Sequence, residues 1–133
     1  MGDLPALPSS PRILIVMAEQ WPRALLRAAL REAGYDAIGT RTLAGALAYP
    51  ADAPGRGPVR ALVVDWSAVA GAPDATTGET LAELRRRHPA MPVVLLASAV
   101  HGDPRGAWAR VVRRPFSIAD VVGAVRELLE LRG

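Results

Sequence analysis

The chain is 133 residues long, half of them hydrophobic and 22% charged, with a formal net charge of +3; this is an ordinary globular balance and enough sequence for one domain with a real core. It has no cysteine, which excludes a disulfide framework, a thiol nucleophile and a zinc–thiolate site. All 16 basic residues are Arg, spread along the chain apart from the Arg85–Arg87 run and the Arg113–Arg114 pair, without the clustering and recognition motif of a nucleic-acid surface, and apolar runs such as Val93–Ala97 are far too short to span a membrane.

Met1–Pro11 is punctuated by Pro and Ser and reads as a loosely docked tail with no apolar signal segment, so a cytoplasmic location is expected. Arg12–Met17 carries Ile13, Leu14, Ile15 and Val16 in an unbroken apolar run, the pattern of a strand covered on both faces. Pro22–Ala33 is predicted helical, with Trp21, Leu25 and Ala29, and Leu26 and Leu30, at spacings of four on one inward face. Gly34 suits the position just past the helix end. Tyr35–Thr40 is a short strand whose polar residues fit a sheet edge. Thr42–Tyr49 has room for about two helical turns, with Leu43, Ala46 and Leu47 inward. Pro50–Pro58 is a breaker-rich surface insertion without the Gly-Lys-Ser/Thr ending of a phosphate-binding loop.

Leu62, Val63 and Val64 again run apolar without alternation and stop at a carboxylate, Asp65. In an open parallel sheet, ligands and chemistry sit beyond the carboxyl ends of the strands. Asp65 is therefore either a reactive group or else a solvated strand end or helix cap, and this stretch alone favours the latter. Ser67–Thr77 is an irregular loop, and Thr76-x-x-Glu79 offers a capping box for a helix to Arg87 with Leu81 and Leu84 on its buried side. His88 and Pro89 end it, His88 reading as a helix-end residue beside the dipole. Val93–Ser98 is the next buried strand. Asp103 and Pro104 suit the start of a short helix before a strand at Val111–Arg113. Ser117, with Asp120, caps a last helix whose Ile118, Val121, Val122, Val125, Leu128 and Leu129 trace one face.

Strand and helix alternate five times, which predicts an α/β domain over residues 12–133: a five-stranded parallel sheet between two helix layers. Right-handed crossovers favour the flavodoxin-like strand order 2-1-3-4-5. No Gly-x-Gly-x-x-Gly follows a strand and no Gly-x-Ser-x-Gly elbow is present, so neither a dinucleotide site nor a Ser-His-Asp relay through Ser98, His101 and Asp103 is expected. Trp21 and Trp66 both follow strands on the expected active face, where they either line a recognition surface or cap the core.

Ile13-Leu-Ile-Val16, Gly34-Tyr35, Leu62-Val-Val-Asp65, Pro92-Val-Val-Leu-Leu96 and Arg114-Pro115-Phe116 together resemble the receiver domains of two-component response regulators, from Arg12 to Leu131. The resemblance implies a (βα)5 receiver fold and a role in phosphorelay signal transduction. It maps Asp65 onto the carboxylate that accepts a phosphoryl group from a histidine kinase. Such transfer needs Mg²⁺ to shield the phosphoryl oxygens, and a cation and a hydroxyl to take up developing charge. The family's acidic pair falls on Met17 and Ala18, leaving Glu19 as the adjacent acid, so a metal site would rest on Glu19 and Asp65. The hydroxyl position falls on Ala97, or on Ser98 with a one-residue slip, and Ser98 is favoured. The family's Lys falls on Arg114, and its aromatic switch position on Val111.

The leading expectation is an atypical receiver-like domain that is not an enzyme and that stands alone, since the chain ends with the last helix. It would act through protein–protein contacts with a signalling partner (a histidine kinase, an output protein or a second copy of the chain), with no cofactor, no nucleic acid and no membrane. Arg114 is expected to pair with Asp65 and balance its charge. Two alternatives remain open: a functional receiver phosphorylated on Asp65 with Mg²⁺, and a flavodoxin-like small-molecule binder.

Overall fold

The computed structural model of the chain describes residues 11–49, 59–65, 75–89, 91–97 and 108–132. In chain order these form β1 (Arg12–Val16), α1 (Gln20–Glu32), β2 (Asp36–Thr40), α2 (Leu43–Ala48), β3 (Val59–Asp65), α3 (Ala75–Arg87), β4 (Val93–Ala97), β5 (Arg110–Arg113) and α4 (Ile118–Arg132). The strands form one parallel sheet in the order β2-β1-β3-β4-β5, the doubly wound, flavodoxin-like arrangement expected from the alternation.

The unbroken apolar runs become the central strands. Ile13–Val16 and Ala61–Val64 are wholly buried, because alternate side chains enter opposite helix layers. Ile13, Ile15, Ala61 and Val63 pack with Leu26 and Leu30 of α1 and with Val121 and Val125 of α4. Leu14, Val16, Leu62 and Val64 pack with Leu43 and Ala46 of α2 and Leu84 of α3. Truncating a fully buried Leu such as Leu30 to Ala costs about 2–5 kcal/mol.

Local signals set several boundaries. Gly34 has φ +99°, the left-handed conformation in which Gly carries no Cβ penalty. Thr42 accepts a hydrogen bond from the Gly45 amide at the start of α2. Ser117 and Asp120 exchange reciprocal bonds, Ser117 N to Asp120 Oδ2 at 2.8 Å and Asp120 N to Ser117 Oγ at 3.1 Å. This capping box satisfies two amides that the first turn of α4 would otherwise leave open. Buried His88 closes α3, its amide bonded to the Leu84 carbonyl.

The structure corrects two expectations. Helix α3 is already under way at Ala75, one residue before the start expected at Thr76. In α1, Leu26 and Leu30 face the core, but Trp21 is 75% and Leu25 57% exposed. The apolar residues of α1 thus form two stripes, and only one meets the sheet. The tail up to residue 10, the Pro50–Pro58 insertion and the short helix expected after Asp103 lie outside the described residues. Among the described residues, no helix is long and apolar enough to cross a membrane.

Arg12, at the amino end of β1, is fully buried. Its Nε lies 3.4 Å from Asp36 Oδ2 and its guanidinium sits 5.4 Å from the Tyr49 ring centre. Among the described residues, Nη1 and Nη2 have no hydrogen-bond partner.

Candidate functional site at the carboxyl edge of the sheet

The site is assembled from the ends of β1, β3, β4 and β5. Asp65 closes β3 and is 7% exposed, which makes it a carboxylate at the rim of an otherwise apolar strand. Its neighbour across the sheet is Leu96. Next to that, the Arg114 amide donates to the Ala97 carbonyl at 2.9 Å, tying the segment after β5 to the end of β4. From this anchor the Arg114 side chain reaches back, and its Nη2 donates to Asp65 Oδ2 over 3.2 Å. Residues 49 apart in sequence are brought together because β3 and β5 flank β4 and both end at the same rim.

The pair is asymmetric, with the Asp65 side chain 10% exposed and that of Arg114 50%. An ionised carboxylate so buried needs a charge-assisted partner, and the guanidinium supplies it while keeping contact with water. Arg114 also stands 5.3 Å from the Phe116 ring centre, a cation–π contact worth about 0.5–1 kcal/mol at such a site. The Arg114–Pro115 peptide bond is cis.

On the other side of Asp65 the rim is neutral. Register pairs Val16 with Val64, so Met17 and Asp65 are the next residues up their strands. Met17 is 3% exposed, belongs to the apolar cluster under α1 and α4, and donates its amide to Thr40 O at 3.0 Å. Ala18 and Glu19 are exposed. Glu19 precedes α1 without capping it through its side chain.

Sequence reasoning missed Arg23. Its Nη1 donates to the carbonyls of Met17 at 2.8 Å and Ala18 at 3.4 Å, so the turn after β1 is held by a guanidinium from the first turn of α1. Gly39 makes this possible, since a Cβ there would lie 2.9 Å from Arg23 Cγ. An Arg one turn into the helix, opposite a Gly in the neighbouring edge strand, is the signal that was available.

These residues do not fit a magnesium ion. Mg²⁺ requires near-octahedral oxygen ligation, normally anchored by carboxylates. Here the two positions after β1 offer a buried thioether and a methyl group, their backbone carbonyls accept from Arg23, and Asp65 accepts from Arg114. Among the described residues, no three acidic or His side chains gather as metal ligands. Ala97 ends β4 as a buried methyl, and Ser98 lies outside the described residues, as do Trp66, His101 and Asp103. Val111 is half-buried in β5. The exposure of Trp21 removes it from the core-capping role.

No protein-family model matches the chain, and no curated protein does. Solved structures do. The CheY-like receiver domain from Methanospirillum hungatei JF-1 superposes with a TM-score of 0.70 at 18% identity, covering 92% of this chain and 95% of that one. A receiver domain from Clostridium thermocellum gives 0.70 at 16% identity over 92% and 96%, and the receiver domain of a Francisella response regulator 0.69 at 16% over 93% and 100%. Together with the strand order, these likenesses establish that the chain has the fold of response regulator receiver domains.

Proposed function

We propose that this domain serves two-component signal transduction as an atypical receiver that works through protein–protein contacts, with Asp65 neutralised by Arg114 in place of a metal ion. The observation that carries this reading is the Arg114–Asp65 bond at 3.2 Å, beside a rim where Met17 and Ala18 offer no carboxylate. A phosphoryl group arriving at Asp65 would have to displace Arg114, and it would find no second acid to hold a cation near its oxygens. The partner is a signalling protein, a histidine kinase or an output protein, and the domain carries out no turnover of its own.

The test is direct. Full-length protein is incubated with Mg²⁺ and acetyl phosphate, or with beryllofluoride, and followed by intact mass and Trp fluorescence. No mass gain and no saturable change at millimolar Mg²⁺ are expected. A phosphoryl adduct on Asp65 would establish the second reading, a working phosphoacceptor, which is favoured by the position of Asp65 at the carboxyl end of the central strand.

A further inference from the structure

The groove between α1 and the edge strand β2 is used by neither the core nor the carboxyl-edge site. It is open, measures about 390 Å³, and is lined by Gln20, Arg23, Ala24, Arg27, Ile38 and Gly39, with no acid among them. Arg12, Arg86, Arg87, Arg110 and Arg114 each face a carboxylate. Arg23 and Arg27, among the described residues, meet only backbone carbonyls. Those bonds fix the two guanidiniums without exhausting them. Arg23 uses Nη1 on Met17 and Ala18, and Arg27 uses Nε on Ala37. Nε and Nη2 of Arg23 and both Nη groups of Arg27 remain as donors.

The backbone adds another. Asp36 N donates to Pro11 O, and Thr40 O accepts from Met17 N, so the even-numbered residues of β2 turn their peptide groups toward β1. Ala37 and Gly39 turn theirs to the open edge, where Arg27 meets the Ala37 carbonyl. Two like charges one helical turn apart destabilise a helix, and an anion held between them converts the repulsion into attraction. A carboxylate is matched by a single guanidinium, whereas a phosphate carries a charge of about −1.5 to −2 and three acceptor oxygens, enough for two. The groove is larger than one phosphate and has the size of a small-molecule site, and Ala24 and Ile38 give part of its wall an apolar surface. We propose that the α1–β2 groove binds a small phosphate ester. Its phosphate lies between Arg23 and Arg27, with Gly39 N–H and the Gln20 side chain as further donors, and its organic part rests on Ala24 and Ile38. The site is separate from Asp65, so it stands or falls independently of the signalling role.

The test uses the full chain, labelled with nitrogen-15 and titrated with phenyl phosphate at fixed ionic strength, followed by proton–nitrogen correlation spectra. Saturable shifts should centre on the Gly39 amide and on the Nε–H groups of Arg23 and Arg27. Inorganic phosphate, which lacks the organic part, should bind at least about fivefold more weakly, and benzoate, which lacks the second charge, at least about tenfold. Arg27 is exposed, so Arg27→Gln keeps the fold and should weaken phenyl phosphate by about tenfold. Arg31→Gln, outside the groove lining, should change it by less than about twofold. No saturable shift at millimolar phenyl phosphate, shifts centred on Arg114, equal binding of the three anions, or equal losses from Arg27→Gln and Arg31→Gln would each overturn the proposal.

Discussion

The sheet carries an Arg–Asp pair at each end, and the two are built the opposite way round. At the carboxyl edge the acid is buried and the base half in water: Asp65 and Arg114 have 10% and 50% side-chain exposure. At the amino edge the base is buried and the acid partly wet: Arg12 and Asp36 have 0% and 27%. Each guanidinium also stands over an aromatic ring, Phe116 or Tyr49, at similar distance. The difference that matters is chemical. A guanidinium shut away from water, as that of Arg12 is, has no solvent to turn to when its carboxylate is removed, whereas that of Arg114 does. The amino-edge pair is therefore the more brittle.

Substitutions that remove one partner at a time sharpen this contrast. Asp36→Ala strands Arg12, whose Nη1 and Nη2 already lack partners among the described residues, and should show the largest loss, about 2–4 kcal/mol in urea unfolding. Arg114→Ala removes one contact of Asp65. A loss of about 1–2 kcal/mol is expected. A loss equal to that of Asp36→Ala would break the comparison. Asp65→Asn keeps the shape and removes the buried charge, so a change below about 1 kcal/mol is expected, and Asp65→Asn/Arg114→Ala should be more stable than Arg114→Ala alone. Arg12→Met replaces a buried cation by an apolar side chain of similar length and leaves Asp36 in contact with water; its unfolding midpoint should match or slightly exceed that of the parent. The smallest effect, within about 0.5 kcal/mol, is expected for Trp21→Ala, an exposed side chain whose loss opens no cavity.

Much of the fold was legible because its signals are local. Four-residue apolar runs at Ile13–Val16 and Ala61–Val64 announce strands buried on both faces. Ser117 and Asp120 write the start of α4, and Gly34 writes the end of α1. The carboxyl-edge site was partly legible for the same reason: Asp65 and Arg114 each sit at a strand end, and parallel strands bring such ends to one rim. Arg23 was not legible, because its role depends on the space that Gly39 leaves across the α1–β2 crossover.

The sequence by itself determined which segments become strands and helices, their parallel order, and that Asp65 and Arg114 arrive at the carboxyl edge, since periodicity, capping and crossover handedness act within or between successive elements. Only the tertiary structure decided which of the two apolar stripes of α1 turns inward. Both have helical spacing; Leu26 and Leu30 meet Ile13, Ile15 and α4, and Trp21 and Leu25 are left to water. It also decided that Arg12 is buried against Asp36 and Tyr49 while Arg114 is not. Burial phase and ion pairing depend on what packs from the neighbouring layer, and a single element's residues carry no record of that.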